Sequence, residues 1–535
     1  LSIFGQDFSF CWLFAVMYPT LYARYVALSQ LQALAAGLAD ICQQTKTDTA
    51  WVIGLNGGLG AGKTAFARAF LQALDAGVVE VPSPSFTLVQ PYELSSGASW
   101  LHADLYRLTT REQALGLGLV EQLPQLQGGG LLLEWPDLLA DDLPPNRLGI
   151  VLDFVDGDQV KDEAGQGAEL RHLEFHLHGS CQALFLPIAQ LIQTHCPQHD
   201  PSNRAQQRQA FLTQAGWGDA AISAMGQDAS FRRYWRLHQQ DKGAAVLMDA
   251  APPMEYVWKF DQVARLLRDA GLTVPAIDAV DDAHGFLLEE DFGQLTATLY
   301  VNGADAVQDR AKLTQVLSLA VDSLIRLHQC ASLADDSGLH AYSNDRMLSD
   351  IQAFLDWYMP AVGLPVLSLA GQQQWRQAWG GTIAAQHVVP TTVILRDYHL
   401  DNLMILPDLR LGVLDFQDAM TAPLTYDLIS LLEDARRDFP ADVVAEQVAC
   451  YLAAFPQISA QDFAQAWAAV AAVRHTRILG VFARLWHRDG KPIYLKHLPR
   501  VWGQLAAALA HPALAGLAAW FEEYVPTTAR TIEPR

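Results

Sequence analysis

Cysteine is scarce and unpaired in this 535-residue chain: the six residues Cys11, Cys42, Cys181, Cys196, Cys330 and Cys450 include no C-x-x-C pair. That scatter excludes a zinc knuckle and a disulfide framework, and it makes a reducing cytoplasm the expected compartment. Positive charge is short as well, with 36 Lys and Arg against 58 Asp and Glu and a formal charge of -22. No chain-wide field can therefore coat nucleic acid or an anionic membrane, and any such contact has to be local. Long apolar runs are also missing. The most apolar stretch, Phe8 to Tyr18, falls short of the roughly 18 to 20 residues that span a bilayer, and with Arg24 as the first arginine there is no basic flank of a secretory signal. Residues 1–27 are read as an extension of unassigned role, and no membrane contact is expected. There is no internal repeat or low-complexity tract. What remains is 51% hydrophobic and 18% charged, a packed globular composition long enough for roughly two to four domains.

The first chemistry-bearing segment is GLNGGLGAGKTAFARAF, Gly54 to Phe70, in which Gly57, Gly62, Lys63 and Thr64 satisfy G-x-x-x-x-G-K-[ST]. Gly57, Gly60 and Gly62 let backbone N–H groups point at an anion that side chains would otherwise block. Lys63 is placed to neutralise the outer phosphates of ATP, and the Thr64 hydroxyl to ligate Mg2+. The apolar run Trp51–Leu55 before the loop and the helix-forming run after Lys63 give the strand-loop-helix context that the motif requires. Further on, WLHADLY and LLLEW read as buried strands of a parallel sheet, each ending near an acid, Asp104 and Glu134. An acid at a strand end beside such a loop suits metal and water chemistry; helix capping or a structural ion pair is the alternative. LRHLEFHLHG alternates like an exposed strand that closes this domain, and Thr194–Asn203 is the best linker candidate.

With GGLGAGKT, SPSFTLVQPY, HADLYRL and LLLEWP, the chain over about residues 28–180 resembles the bacterial TsaE-type ATPases of tRNA threonylcarbamoyladenosine synthesis. The resemblance implies that Thr87 lies in a switch-like loop, that Asp104 and Glu134 serve the metal and the attacking water, and that Trp135 lies beside the nucleotide. It also implies that the other proteins of the tRNA-modifying complex are partners. Gly58 stands where the family usually has an acid, and Ser85 where it has Thr.

The second segment is VILRDYHLDNLMIL, Val393 to Leu406. Asp397 and Asn402 have the D-x-x-x-x-N spacing of a kinase catalytic loop, and Asp415 follows at the end of an apolar strand. In that pattern Asp397 deprotonates an acceptor hydroxyl while Asn402 and Asp415 hold Mg2+ on the nucleotide phosphates. Between Arg474 and Arg500 the chain carries ten basic residues or histidines (Arg474, His475, Arg477, Arg484, His487, Arg488, Lys491, Lys496, His497, Arg500) against the single acid Asp489. Such a field suits an anionic acceptor and repels a polycation; a solvated helix face is the alternative.

DASFRRYWR, LMDAAPP, LLEEDFG, LRDYHLDNLM and LGVFARLWHRDGKPIYL make about residues 205–530 resemble the aminoglycoside phosphotransferase superfamily, and within it the kinases of N-acetylmuramate and N-acetylglucosamine. Leu395 replaces the commoner His, and the segment has neither a Gly-rich loop nor the strand lysine of most kinases. Ser230, Arg232 and Arg233 are then the available phosphate contacts. The expected architecture is an α/β P-loop domain (28–180), a linker (181–204) and a two-lobed α+β kinase-like domain (small lobe about 205–295, large lobe about 296–535). The expected function is a cytoplasmic fusion of two ATP- and Mg2+-using enzymes, one assisting tRNA modification and one phosphorylating a small amino sugar at its anomeric hydroxyl. The rival expectation is a metabolite kinase fused to an aminoglycoside- or choline-type phosphotransferase, or to a non-catalytic kinase-like domain.

Overall fold

The computed structural model describes residues 20–45, 47, 49–78, 80–85, 87–126, 128–140, 142–155, 170–196, 204–225, 232–302, 306–330, 338–488, 490–530 and 532. These form two compact units, Leu1–Trp258 with Ile277–Glu289, and Lys259–Ala276 with Glu290–Arg535. Much of the span at about 205–295, read from sequence as the small lobe, thus groups with the first unit.

The first unit is built on strands β1 (Thr20–Val26), β2 (Trp51–Asn56), β3 (Val89–Glu93), β4 (Ser99–Asp104), β5 (Gly130–Glu134), β6 (Leu148–Phe154) and β7 (Arg171–Leu177), in the order β1-β7-β6-β2-β5-β4-β3. Its centre is parallel, β6 to β2 to β5 to β4, and antiparallel strands finish both edges. Central strands buried on two faces must be apolar throughout. Alternate residues of β5 accordingly divide between two cores, Leu132 in one and Leu131 with Leu133 in the other. Helices α1 (Leu28–Gln44), α2 (Lys63–Leu74) and α3 (Phe185–His195) contribute to the first of these cores.

Two sequence boundaries are corrected here. Strand β1 lies inside the segment read as an extension, and it pairs with β7 from Thr20↔His176 onward. That pairing covers the outer edge of β7, so β7 is largely buried rather than exposed. The span 181–204 read as linker contains α3, which buries Phe185, Ile188 and Ile192 and is tied to α1 by Gln30 Nε2 donating to the His195 carbonyl at 3.1 Å. Apolar spacing with helical period, rather than the prolines that follow, decides that segment. The same unit holds a second sheet of β8 (Ala221–Ala224), β9 (Arg233–Gln239), β10 (Gly243–Asp249), β11 (Ile277–Asp281) and β12 (Phe286–Glu290), ordered β11-β12-β10-β9-β8, on which α4 (Arg204–Gln214) packs Phe211 and Leu212.

The second unit is largely helical: α5 (Ala306–Gln329), α6 (Asn344–Ala353), α7 (Leu369–Ala385), α8 (Tyr426–Leu432), α9 (Ala460–His487), α10 (Leu498–Leu509) and α11 (Ala515–Tyr524). The 28-residue α9 starts on Ser459, whose hydroxyl accepts from Asp462 N at 3.0 Å, and its last turn carries Arg484 and His487, the charges that suit a helix C-terminus. At Gly480 a Cβ would lie 2.4 Å from the Ala353 carbonyl carbon, so α9 approaches the end of α6 more closely than any side chain allows. Trp375, Trp379, Phe354, Trp502, Trp520 and Phe521 fill the core beside it. Two hairpin-like pairs stand on this helical base: β13 (Thr391–Ile394) with β16 (Met420–Pro423), and β14 (Leu403–Ile405) with β15 (Leu411–Val413). Among the described residues no single helix is long and apolar enough to cross a membrane, and no group of three or more His, Cys, Asp and Glu is arranged to hold a metal.

Candidate active sites

The first site sits where β2, β4 and β5 end together. Parallel register pairs Asp104 directly with Glu134, and Leu55 with Glu134, so strands far apart in sequence deliver two carboxylates to the rim of the loop that follows β2. The loop itself turns on glycines. Gly57, Gly60 and Gly62 have φ of 128°, 82° and 111°, and a Cβ on Gly57 would lie 1.8 Å from the Leu152 carbonyl oxygen. Lys63 folds back over this loop, donating to the Gly57 and Gly58 carbonyls at 2.7 and 2.8 Å, with its ammonium 3.9 Å from the Trp135 ring centroid. Burial pushes the Lys63 pKa below its ordinary value, against the pull of Glu134, Asp104 and Asp153.

The Thr64 hydroxyl donates to Glu134, 3.1 Å from each carboxylate oxygen, and Glu134 Oε1 also meets His102 Nε2 at 2.9 Å. Asp104 accepts the Ser85 hydroxyl at 2.8 Å, the Ser83 hydroxyl at 3.3 Å and the Tyr106 N–H at 2.9 Å. Lys63, Thr64, Ser83, Ser85, Asp104, Tyr106 and Glu134 line a cavity of about 260 Å3 together with Leu59, Gly60, Gly62, Ala65 and Trp135, with His102 buried behind Glu134. Thr87 is not brought to it: its side chain is exposed and outside the cavity wall. His102 carries no motif signal of its own; the register of β4 places it two residues before Asp104 on the same face, against Glu134. Oxygen-only donors beside a phosphate loop fit a magnesium ion bound chiefly through nucleotide phosphates.

The second site is the loop between β13 and β14. Asn402 Nδ2 donates to the Asp397 carbonyl at 2.9 Å and lies 3.3 Å from Asp415 Oδ2, and Leu414 N donates to the Asn402 carbonyl at 2.9 Å. Asp397, Asn402 and Asp415 are thus gathered on one side of the β14–β15 hairpin, again with oxygen donors suited to magnesium on a nucleotide. Arg396 and Asp415 have φ of 68° and 56°, a left-handed backbone that costs a non-glycine residue of order 1 kcal/mol.

Side chains remote in sequence hold that strain. Asp427 on α8, fully buried, accepts the Leu395 and Arg396 N–H groups at 2.6 and 2.9 Å. Ser430 and Arg474 donate to the Arg396 carbonyl at 3.0 and 3.2 Å. The Arg396 guanidinium reaches Asp350 on α6 at 3.0 Å, where the Tyr342 hydroxyl and Arg346 also bind at 2.8 and 3.3 Å. Burial raises Asp427 to about 7 despite these donors. For Asp350, burial is outweighed by Arg346, Arg477 and Arg396, which hold its carboxyl down to about 2. Burial of Asp397 is likewise outweighed by Arg477, Arg396, His399 and Arg474, and its carboxyl stays below the ordinary range.

The basic run from Arg474 to Arg500 does not present one positive face. His475 pairs with Glu433 at 2.6 Å and Arg500 with Asp438 at 2.6 Å, while Arg474 and Arg477 turn to the loop at Asp397 and its Asp350 support. A helix distributes consecutive residues around its axis, so a run in sequence is not a patch in space. Of the proposed phosphate contacts, Ser230 lies outside the described residues. Arg232 is buried with Nε 3.7 Å from Glu255, and Arg233 opens strand β9 with its side chain exposed.

Comparison with known proteins puts the two loops in two different family matches. The family model for threonylcarbamoyl adenosine biosynthesis protein TsaE matches residues 26–161, and that for the phosphotransferase enzyme family matches residues 221–467. An N-acetylmuramate/N-acetylglucosamine kinase of Caulobacter vibrioides is 33% identical over 365 residues, covering 62% of this chain and 99% of that protein. A kinase of the same name from Pseudomonas aeruginosa is 36% identical over 318 residues, covering 56% of this chain and 89% of its own length. The tRNA threonylcarbamoyladenosine biosynthesis protein TsaE of Rickettsia bellii is 34% identical over 108 residues, 20% of this chain and 72% of that protein.

Proposed function

The first region of the chain belongs to the TsaE family and the second to the N-acetylmuramate/N-acetylglucosamine kinases of the phosphotransferase enzyme family, and from that premise we propose a bifunctional protein. Its first region hydrolyses ATP in support of threonylcarbamoyladenosine modification of tRNA, with the other proteins of that machinery as partners. Its second region transfers phosphate from ATP to the anomeric hydroxyl of N-acetylmuramate or N-acetylglucosamine, a step of cell-wall sugar recycling in the cytoplasm.

The observation that supports this reading is that Lys63, Thr64, Asp104 and Glu134 line one cavity, while in a separate loop Asn402 Nδ2 meets the Asp397 carbonyl and the Asp415 carboxylate. In the first, Lys63 and the loop N–H groups receive the phosphates, Thr64 and Asp104 hold magnesium, and Glu134, oriented by His102, positions water. In the second, Asn402 and Asp415 hold magnesium and Asp397 takes the proton of the sugar hydroxyl. Bound magnesium supplies charge neutralisation on the phosphate oxygens. Asp397 suits its part because nearby guanidinium groups keep it ionised at neutral pH. Those same cations disfavour a polycationic acceptor such as an aminoglycoside.

The test is a kinase assay of the full chain with Mg-ATP against a panel of amino sugars and aminoglycosides, the product read by phosphorus NMR coupled to the anomeric proton. Turnover on the sugars with phosphate on the anomeric oxygen supports the reading; phosphate only on the primary hydroxyl, or turnover only on aminoglycosides, defeats it. Asp415→Asn should lower nucleotide affinity and turnover together, since it removes a metal-bound charge.

A further inference from the structure

Three arginines converge on Asp350, and they are not equivalent. Arg346 and Arg396 hydrogen-bond its carboxylate, at 3.3 and 3.0 Å. Arg477 approaches Oδ2 but stops at 3.6 Å, beyond hydrogen-bond reach, and its guanidinium makes no hydrogen bond among the described residues. Its place is fixed from the other side. Arg474, one turn earlier on α9, donates to the carbonyl of Arg396, and Arg396 is the chain neighbour of Asp397. Arg477 is therefore locked beside the catalytic loop with its five N–H donors unspent, its side chain 20% exposed against 8% for Arg396.

That guanidinium is largely withdrawn from water and holds Asp350 as an ion pair at 3.6 Å rather than by a hydrogen bond, so its N–H donors remain open to a second anion. Asp350 already receives hydrogen bonds from Tyr342, Arg346 and Arg396 and takes none from Arg477. The natural complement is a planar anion that accepts two parallel N–H bonds. Resting on the kinase reading above, we infer that Arg477 is the subsite for the carboxylate of an acidic amino sugar, so that it sets the preference for N-acetylmuramate, which carries a lactyl carboxylate, over neutral N-acetylglucosamine. Asp397 receives the proton of the acceptor hydroxyl, and Arg477 fixes the far side of the same sugar ring.

The experiment compares kcat/KM for the two sugars in the full chain and in Arg477→Met. Loss of a charge-assisted, two-point contact should lower the N-acetylmuramate to N-acetylglucosamine ratio about ten- to a hundred-fold, carried by KM for the acidic sugar. Arg477→Lys should recover part of the ratio, since it restores charge but not the fork. Arg477 also helps keep Asp397 ionised, and a role confined to that would lower kcat for both sugars alike and move the acid limb of the pH profile. An unchanged ratio, whether both sugars suffer equally or neither does, overturns the inference while leaving the kinase reading intact. The methyl ester of N-acetylmuramate gives a check on the unmutated protein that does not depend on any variant folding: the ester should lose the advantage of the acid, and an ester as good as the acid overturns the inference. If the unmutated chain phosphorylates neither sugar, the kinase reading falls and this inference with it.

Discussion

The two candidate phosphate sites solve one problem in opposite ways. The P-loop is backbone held by backbone geometry: glycines with positive φ turn it, and its lysine bonds carbonyls five and six residues away. The kinase loop is backbone held by distant side chains, with Asp427, Ser430, Arg474 and Asp350 clamping a stretch strained at Arg396. A cradle of the first kind carries its instructions in one contiguous stretch. The second kind spreads them over more than a hundred residues, and its failure modes differ accordingly.

The sharpest way to break the comparison is to show that the sites are not independent. Asp397→Asn should lower sugar phosphorylation by about 10² to 10⁴ through loss of the proton acceptor, with nucleotide hydrolysis by the first region unchanged. Lys63→Ala should do the reverse, abolishing hydrolysis and sparing the kinase. Loss of both activities in one folded variant, measured side by side, would end the two-site account.

The next largest effect concerns the clamp. Asp350→Ala strands Arg346, Arg396 and Arg477 in a largely buried setting and should destabilise the second unit by about 3–5 kcal/mol, read as a lowered denaturant midpoint. If the midpoint holds and turnover holds too, the side-chain clamp is not what supports the loop.

A smaller effect is expected at the backbone-built site. Ser85→Ala removes a hydroxyl from Asp104 and should slow hydrolysis about ten-fold, on the scale of one hydrogen bond to a charged group, whereas Ser85→Thr keeps the hydroxyl and should be near neutral. A loss in Ser85→Thr as large as that in Ser85→Ala would show that space, not the hydroxyl, matters there.

The last test is a pH dependence. Asp427 is raised by burial to about 7, above its unfolded value of roughly 4, so the folded state binds the extra proton between those values. Its contribution to stability is therefore fully present below pH ~4 and is lost as pH rises through about 7. Comparing unfolding midpoints of the unmutated chain and Asp427→Asn across that window isolates it: the difference should change with pH, and a flat difference refutes the assignment.

The strand before Lys63, the helix after it and the parallel centre of the first sheet were all legible, because each is written in local periodicity and turn residues. So were Lys63, Thr64, Asp104, Glu134, Asp397, Asn402 and Asp415 as candidates, because phosphate chemistry demands those residue types at near-fixed spacing. Strand β1 was not legible: seven residues without turn signals gain strand character only by pairing with β7, nearly 150 residues later. The helix α3 was obscured by the prolines beside it. Asp350 carried no local signal at all, and the basic run at Arg474 to Arg500 overstated a field that helix geometry divides.

Sequence alone thus determined what is local: two phosphate-binding stretches, their separate folds and their families, since backbone turns and motif spacing act over a few residues. Tertiary structure decided what is convergent: that His102 lies against Glu134, that Asp427 and Asp350 hold the loop at Asp397, and that Arg477 meets Asp350 as an ion pair beside that loop. Such facts depend on register and helix phase, where a shift of one residue turns a side chain to another face, and no single stretch of the chain records them.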